Sequence, residues 1–338
     1  MLREAAVIMY EKYEKHDLAI YAGYVKSEDE LRKSSSGGIV TALAKQVIDD
    51  GGYVAGVAYS EDYHCAEYIL VKEKAQLEKM RGSKYVEPKK NNIFSDVKAL
   101  IDKGEKVLFT GLPCIVAALY SFIGARPDNL LTCELVCKGP TLQKVHEQYV
   151  LYLENKYKSK IKNFSVRYKK YGWIPPYLYA EFYNGKVFER EFNETEYGFA
   201  FKICGKNSCY DCKFKGNNRQ GDIMAGDFWG AVPEDKIWNK QGVSVIFAET
   251  EKGNDYVLKL KDVVLEKIDF ARAVRKNAML IGMRKRDPRR AEFLKMLEDK
   301  GLQYAFKHAV PFKQKIKSYI PQKALKTARA AWRVIRKV

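Results

Sequence analysis

The stretch Lys106-Val-Leu-Phe-Thr110-Gly-Leu-Pro-Cys114, continuing as Ile115-Val-Ala-Ala-Leu-Tyr-Ser-Phe122, decides how this chain is read. A short apolar run predicts a buried strand, Gly111-Leu-Pro113 predicts a turn, and the apolar spacing from Cys114 to Phe122 predicts a helix. Working outward, Ile93 to Ile101 reads as the preceding helix, Asp102-Lys-Gly104 as its turn, and Leu130 to Val136 as the next strand. The same alternation occurs earlier. Gly37-Gly38 open a helix over Ile39 to Ile48, with Ile39, Leu43 and Val47 on one face, and Gly51-Gly52 stop it before a strand from Tyr53 to Tyr59. Alternation of this kind predicts an α/β protein with a mixed sheet and some parallel pairing.

Past this region one amphipathic helix, about Leu142 to Lys160, is expected to close the α/β part. Phe164 to Tyr168 and Tyr177 to Tyr183 are aromatic and β-branched, with Asn184-Gly185 as a hairpin turn. An irregular Cys-rich loop, Cys204 to Gly221, precedes Asp222 to Gly230; Val243 to Ala248 predicts another strand and Asn254 to Leu260 a helix. The end differs in composition. Phe312 to Val338 holds nine Lys and Arg and no acid, with Leu325, Ala328, Trp332 and Ile335 at helical spacing. A basic amphipathic C-terminal helix of this kind suits an anionic membrane surface, or docks its apolar stripe on its own domain. The expected division is one domain over 1–310, with its α/β part at about 20–160 and its aromatic strands and Cys loop at about 161–250, followed by the tail 311–338.

The chain has 338 residues, 46% of them hydrophobic, enough for a real core and unlike a disordered or low-complexity protein. Lys and Arg number 60 against 42 acids, for a formal charge of +18. That excess suits nucleic acid, an anionic membrane or acidic small molecules. Because half of it lies in the tail, nucleic acid is not favoured. No run of eighteen apolar residues and no signal-type core occur, so the protein is expected in the cytoplasm, with the segment 312–338 touching the inner face of the membrane. Seven cysteines in a reducing compartment read as metal ligands or redox groups rather than bridges.

Cys209-Tyr-Asp-Cys212 lets two thiolates from one turn hold one metal centre. By itself it reads equally as half a zinc knuckle, a dithiol pair or part of an iron–sulfur site. Cys114 and Cys137, each at the end of a predicted strand, can supply further sulfurs. None of the four histidines, His16, His64, His146 and His308, sits in a ligand-spaced pair.

Six ordered motifs narrow the choice: Ser34-Ser-Ser-Gly-Gly38, Arg81-Gly-Ser-Lys-Tyr85, Leu108-Phe-Thr-Gly-Leu-Pro-Cys114, Cys137-Lys-Gly-Pro140, Ser208-Cys-Tyr-Asp-Cys212 and Gly226-Asp-Phe-Trp-Gly230. Together they resemble the coenzyme F-420 hydrogenase/dehydrogenase beta-subunit family, and more narrowly its bacterial branch associated with surface polysaccharides. The resemblance implies an iron–sulfur flavoprotein oxidoreductase that binds FAD and a [4Fe–4S] cluster and passes electrons to an organic acceptor. It implies cluster ligands at Cys114, Cys137, Cys209 and Cys212, with Cys204 as a substitute for one of them and Cys65 and Cys133 as buried small residues. An FAD pyrophosphate needs close backbone approach and positive charge. Ser36, Gly37 and Gly38 at a helix start offer N–H groups for it. Arg81, Gly82, Ser83, Lys84 and Tyr85 add cations and a hydroxyl, and Thr110 and Gly111 lie at a strand end.

This chain departs from the family pattern in three respects, one being that nothing in its sequence specifies a deazaflavin as the partner. No ferredoxin-like cysteine repeats precede Cys65, so a separate ferredoxin-like protein is the expected electron donor to a small-molecule acceptor. Lys138 stands where the bacterial branch suggests a histidine, keeping a cation and losing a proton donor at neutral pH. Asp222, Asp227 and Trp229 either shape the cofactor environment or serve as loop caps and a core anchor. No catalytic residue is assigned. The alternatives are a basic zinc-ribbon nucleic-acid-binding protein and a non-catalytic scaffold of the same fold.

Overall fold

A computed structural model describes residues 18–216, 218–320 and Ala324. Its eleven strands are β1 (Ile20–Val25), β2 (Tyr53–Tyr59), β3 (Ala66–Val71), β4 (Val107–Gly111), β5 (Leu130–Leu135), β6 (Ile161–Tyr168), β7 (Tyr177–Phe182), β8 (Val187–Glu191), β9 (Ile223–Asp227), β10 (Ser244–Ala248) and β11 (Val263–Lys267). Eight form one mixed sheet in the order β11-β1-β10-β9-β5-β4-β2-β3, and β6-β7-β8 form a separate antiparallel sheet. Within the large sheet β2, β4, β5 and β9 run parallel, and the flanking pairings are antiparallel.

The parallel centre follows from the strand–helix alternation. Helix Ile93–Asp102 leads into β4, and helix Pro113–Ile123 carries the chain from β4 to β5. Such crossovers need a helix to span the sheet, and each helix buries its apolar face on it. Val97, Ile101, Val116 and Leu119 pack with Phe109 and Val107 on one face. On the other face Leu43, Val47 and Ile39 of helix Ile39–Asp49 pack against Leu108, Leu131 and Ile246.

Helix Gln143–Tyr157 packs on the small sheet rather than closing the α/β layer. Its Val145, Tyr149, Val150 and Leu153 meet Phe164, Val166, Leu178 and Phe182, and helices Glu196–Ile203, Arg290–Lys300 and Leu302–Ala309 complete that core. Asn184-Gly185 forms the turn between β7 and β8, with Gly185 at a φ of +79°. Strands β9, β10 and β11 return to the large sheet, so its halves come from both ends of the chain. Among the described residues no helix is long and apolar enough to cross a membrane. The tail residues Leu325, Ala328, Trp332 and Ile335 lie outside the described residues.

Candidate functional site

The parallel strands β2, β4, β5 and β9 end on one edge of the large sheet, where α/β proteins open a crevice. Here it is a cavity of about 400 Å³, within the range of small-molecule and cofactor sites. Its wall contains Thr110 and Gly111 from the end of β4, Cys137 beyond β5, and Asp227 and Trp229 at and beyond the end of β9.

The flavin residues expected from sequence converge there, with one exception. Ser36, Gly38, Arg81, Gly82, Ser83, Lys84, Tyr85, Thr110 and Gly111 all line the cavity, whereas Gly37 does not. Gly37 lies behind the wall. Its N–H donates to Ser244 Oγ at 2.9 Å, and a Cβ there would fall 2.2 Å from the Gly23 carbonyl oxygen. Glycine at this position lets the helix start pack on β1 and β10, so the expected free N–H is engaged.

Lys84 also differs from a solvated phosphate-binding cation. It is buried, and its ammonium donates to the carbonyls of Met80 (2.8 Å), Arg81 (2.8 Å), Gly82 (3.1 Å) and Lys79 (3.4 Å). Burial pushes this amine down to about 7, while a cage of carbonyl acceptors favours the protonated form. Because C=O and the following N–H point in opposite directions across a trans peptide, the cage turns the N–H groups of Gly82 and Ser83 away from Lys84. Neither has an acceptor among the described residues. Beside them Arg81 keeps 8% side-chain exposure, and its Nη1 is buried without a hydrogen-bond partner. Its charge is partly met by Glu78 at 3.1 Å and Glu30 at 3.8 Å.

A second buried ammonium holds the facing loop. Lys169 donates to the carbonyls of Leu31 (3.0 Å) and Ser36 (2.6 Å), and burial pushes it down to about 7. Arg167 makes two bonds to Asp227, at 2.9 and 3.2 Å, and donates to the Ser35 carbonyl at 2.7 Å. Trp173 donates from Nε1 to Asp227 at 3.0 Å and stacks on Trp229 with centroids 4.9 Å apart. Arg167 and Lys169, on and just beyond β6, and Trp173 had no place in the sequence reading. The available signal was the run Arg167-Tyr-Lys-Lys-Tyr-Gly-Trp173, which a β-period rule assigns to a solvated face. Asp227 and Trp229 therefore stand at the cavity. Asp222 does not: it is buried and accepts from Thr132 N (2.9 Å) and Thr250 Oγ1 (3.0 Å), tying β5 to the start of helix Glu251–Leu258.

Cys114, Cys137, Cys209 and Cys212 are near enough to influence one another electrostatically, and Cys137 lines the cavity wall. The Cys114 thiol is pushed up to about 11, by burial first and then by Cys137, Cys212 and Cys209. Cys137 is raised by burial, opposed by the Gly139 N–H and Lys215. The Gly139 N–H donates to Cys137 Sγ at 3.1 Å. Gly139 has a φ of +96°, and a Cβ there would lie 3.0 Å from Cys209 Cβ and 3.1 Å from its Sγ. Lys215 bonds the Cys137 and Met279 carbonyls, and Arg284 joins the Gly139 carbonyl (3.3 Å) to that of Phe201. Among the described residues no group of three or more His, Cys, Asp or Glu side chains is arranged to hold a metal ion. Cys204 stands apart, in the core of the small-sheet unit, pushed up to about 12 by burial, with Arg290, Arg284 and Asp287 as its charged neighbours. Cys65 and Cys133 are buried, Cys133 at the heart of the large sheet.

The fold and site define a mixed α/β protein whose central parallel strands open onto a cavity with Cys137, one of four neighbouring thiols, in its wall. Residues 20–92 match the coenzyme F420 hydrogenase/dehydrogenase beta subunit N-terminal family, and residues 104–271 match the C-terminal family of the same subunit. The chain belongs to the coenzyme F420 hydrogenase/dehydrogenase beta-subunit family, and is thereby associated with oxidoreductases. The fold is similar to that of a chain in the F420-reducing [NiFe] hydrogenase complex from Methanosarcina barkeri, with a TM-score of 0.53 and 17% identity over 77% of this chain and 88% of that one. No curated protein matches the chain.

Proposed function

We propose that this protein is an iron–sulfur flavoprotein oxidoreductase that receives electrons from a separate protein and delivers them to an organic acceptor. The observation that carries the reading is a single juxtaposition. Cys137 is both a neighbour of the other expected cluster thiols and part of the wall of the cavity that contains nine of the ten expected flavin residues.

Cys114, Cys137, Cys209 and Cys212 would hold the [4Fe–4S] cluster, since four thiolates match its ligand requirement. The Gly139 N–H and the Lys215 ammonium would stabilise charge on Cys137 sulfur. The cavity would hold FAD. Arg81 Nη1 and the outward N–H groups of Gly82 and Ser83 offer an anion-binding set for its pyrophosphate. Lys84 then acts behind that set, by orienting the loop. Trp229, braced by Trp173, gives the cavity a flat aromatic wall. When bound, these groups supply one-electron relay and two-electron transfer; the chain supplies position, charge and exclusion of water. Lys138 lines the cavity as a cation, so a proton to the acceptor would come from solvent or from the acceptor's own groups. A role in surface-polysaccharide synthesis and a membrane contact through 312–338 belong to the same proposal.

Anaerobic purification followed by an absorption spectrum and iron and sulfide analysis tests the reading. Flavin bands with a broad thiolate–iron shoulder are expected. A colourless protein containing zinc refutes it.

A further inference from the structure

The cysteine loop carries a crowd of cations that the fold leaves unbalanced. Tyr210, between Cys209 and Cys212, has three guanidinium groups over its ring: Arg286 at 4.7 Å, Arg290 at 5.3 Å and Arg284 at 5.8 Å. Lys138, beside Cys137, and Lys202 are also exposed. Lys213 and Lys285 are exposed and adjoin this group along the chain. None of Lys138, Lys202, Lys213, Lys285, Arg286 and Arg290 has a carboxylate within ion-pair distance among the described residues. The local acids are otherwise engaged, Glu87 with Lys206 at 2.6 Å and Asp287 with Arg289 at 2.7 Å, and exposed Asp211 stands alone among them.

Like charges held together without partners carry a repulsion that an anionic surface relieves. We infer that this cationic face is the docking surface for an acidic protein carrying a one-electron centre. The inference rests on the reading of the four cysteines as an electron-transfer site. The cations surround the loop that brings two of those cysteines to the surface, and Cys114 is itself exposed. A carrier settled on the face therefore approaches the thiols by the shortest route. Met283, 45% exposed, adds an apolar contact beside Arg284, a combination of Met, Arg and Tyr typical of protein interfaces. A single-stranded nucleic acid gains affinity by stacking its bases on free aromatic rings, and Tyr210 is already covered by guanidinium groups.

The test titrates the full chain with an acidic two-cluster ferredoxin, in its oxidised form, at low and at high salt. Lys213→Glu with Lys285→Glu is compared with a control, Lys98→Glu, remote on helix Ile93–Asp102. Iron and sulfide are assayed in every preparation. The double reversal should weaken binding at least about tenfold at low salt and flatten the salt dependence, with the control unchanged. Absence of ferredoxin binding, or binding indifferent to the double reversal, overturns the inference. So does an equally charge-sensitive affinity for an oligonucleotide or for vesicles of anionic lipid. A preparation without iron and sulfide that still binds through this face refutes the cluster reading and leaves the docking surface standing.

Discussion

Replacing Lys84 by Met tests how the loop at the cavity is held. The substitution keeps length and apolar bulk while removing an ammonium that donates at 2.8, 2.8 and 3.1 Å to consecutive carbonyls. Hydrogen bonds from a charged donor contribute about 1.5–3 kcal/mol each, so three amount to about 5–9 kcal/mol. Burying the ammonium costs in the other direction. Lowering its pKa from 10.5 to about 7 corresponds to about 5 kcal/mol. The difference leaves a net loss of about 0–4 kcal/mol on substitution, toward the upper end where the freed carbonyls remain dry. Urea unfolding of the flavin-free protein measures this directly. Flavin affinity, followed by fluorescence quenching on titration, should fall about tenfold or more as the Gly82 and Ser83 N–H groups lose their orientation. A Lys84→Met protein as stable as the parent and equal in flavin affinity refutes the caged-lysine argument. Lost affinity with unchanged stability would instead make Lys84 a direct ligand.

Other outcomes follow from the same geometry. His146 is fully buried, donates from Nε2 to the Tyr63 carbonyl at 2.8 Å and accepts on Nδ1 from Tyr197 at 3.1 Å; burial pushes it from 6.5 down to about 4. Below pH 6.5 the unfolded chain takes up a proton that the folded chain refuses, so stability falls as pH drops toward 4, by about 3 kcal/mol in full. His146→Gln should lack that component when unfolding is compared at pH 7 and pH 4.5. Gly139→Ala should displace Cys209 and lower the bound iron and sulfide, since its Cβ cannot fit at 3.0 Å under a positive φ. Asp227→Ala should cost about 3–5 kcal/mol in denaturant unfolding by leaving the buried Arg167 charge uncompensated. Cys137→Ala should abolish iron retention and Cys204→Ala preserve it; equal loss from both would return Cys204 to the ligand set.

Much of the large sheet was legible because its segments carry local signals. The Gly-Leu-Pro turn, the helix after it and the flanking strands declared themselves through short apolar runs and punctuation by Gly and Pro, as observed in β4, helix Pro113–Ile123 and β5. The glycine, serine and cation clusters that line the cavity read singly as ordinary turns and solvated charges; only their ordered occurrence with the other motifs marked them. The packing partner of helix Gln143–Tyr157 was not. Its apolar face states that something must cover it, and the small sheet and the large sheet answer equally well in one dimension.

The sequence by itself determined the chemistry available to this protein: which residues end the parallel strands, four thiols spread over three turns, and a cationic surplus. Only the tertiary structure decided which charges face a ligand and which serve the fold. Lys84 and Lys169 look like solvated cations in sequence, yet they sit in carbonyl cages, while Arg81, in the cavity wall, keeps a buried nitrogen without a hydrogen-bond partner. Cys204 and Cys209 lie five positions apart, yet one belongs to a core and the other neighbours Cys114, Cys137 and Cys212. The physical reason is common to both cases. The charge state and use of a side chain depend on solvent access and on partners remote in sequence, such as Arg167 meeting Asp227 sixty positions away, and those are set only when the two sheets close on each other.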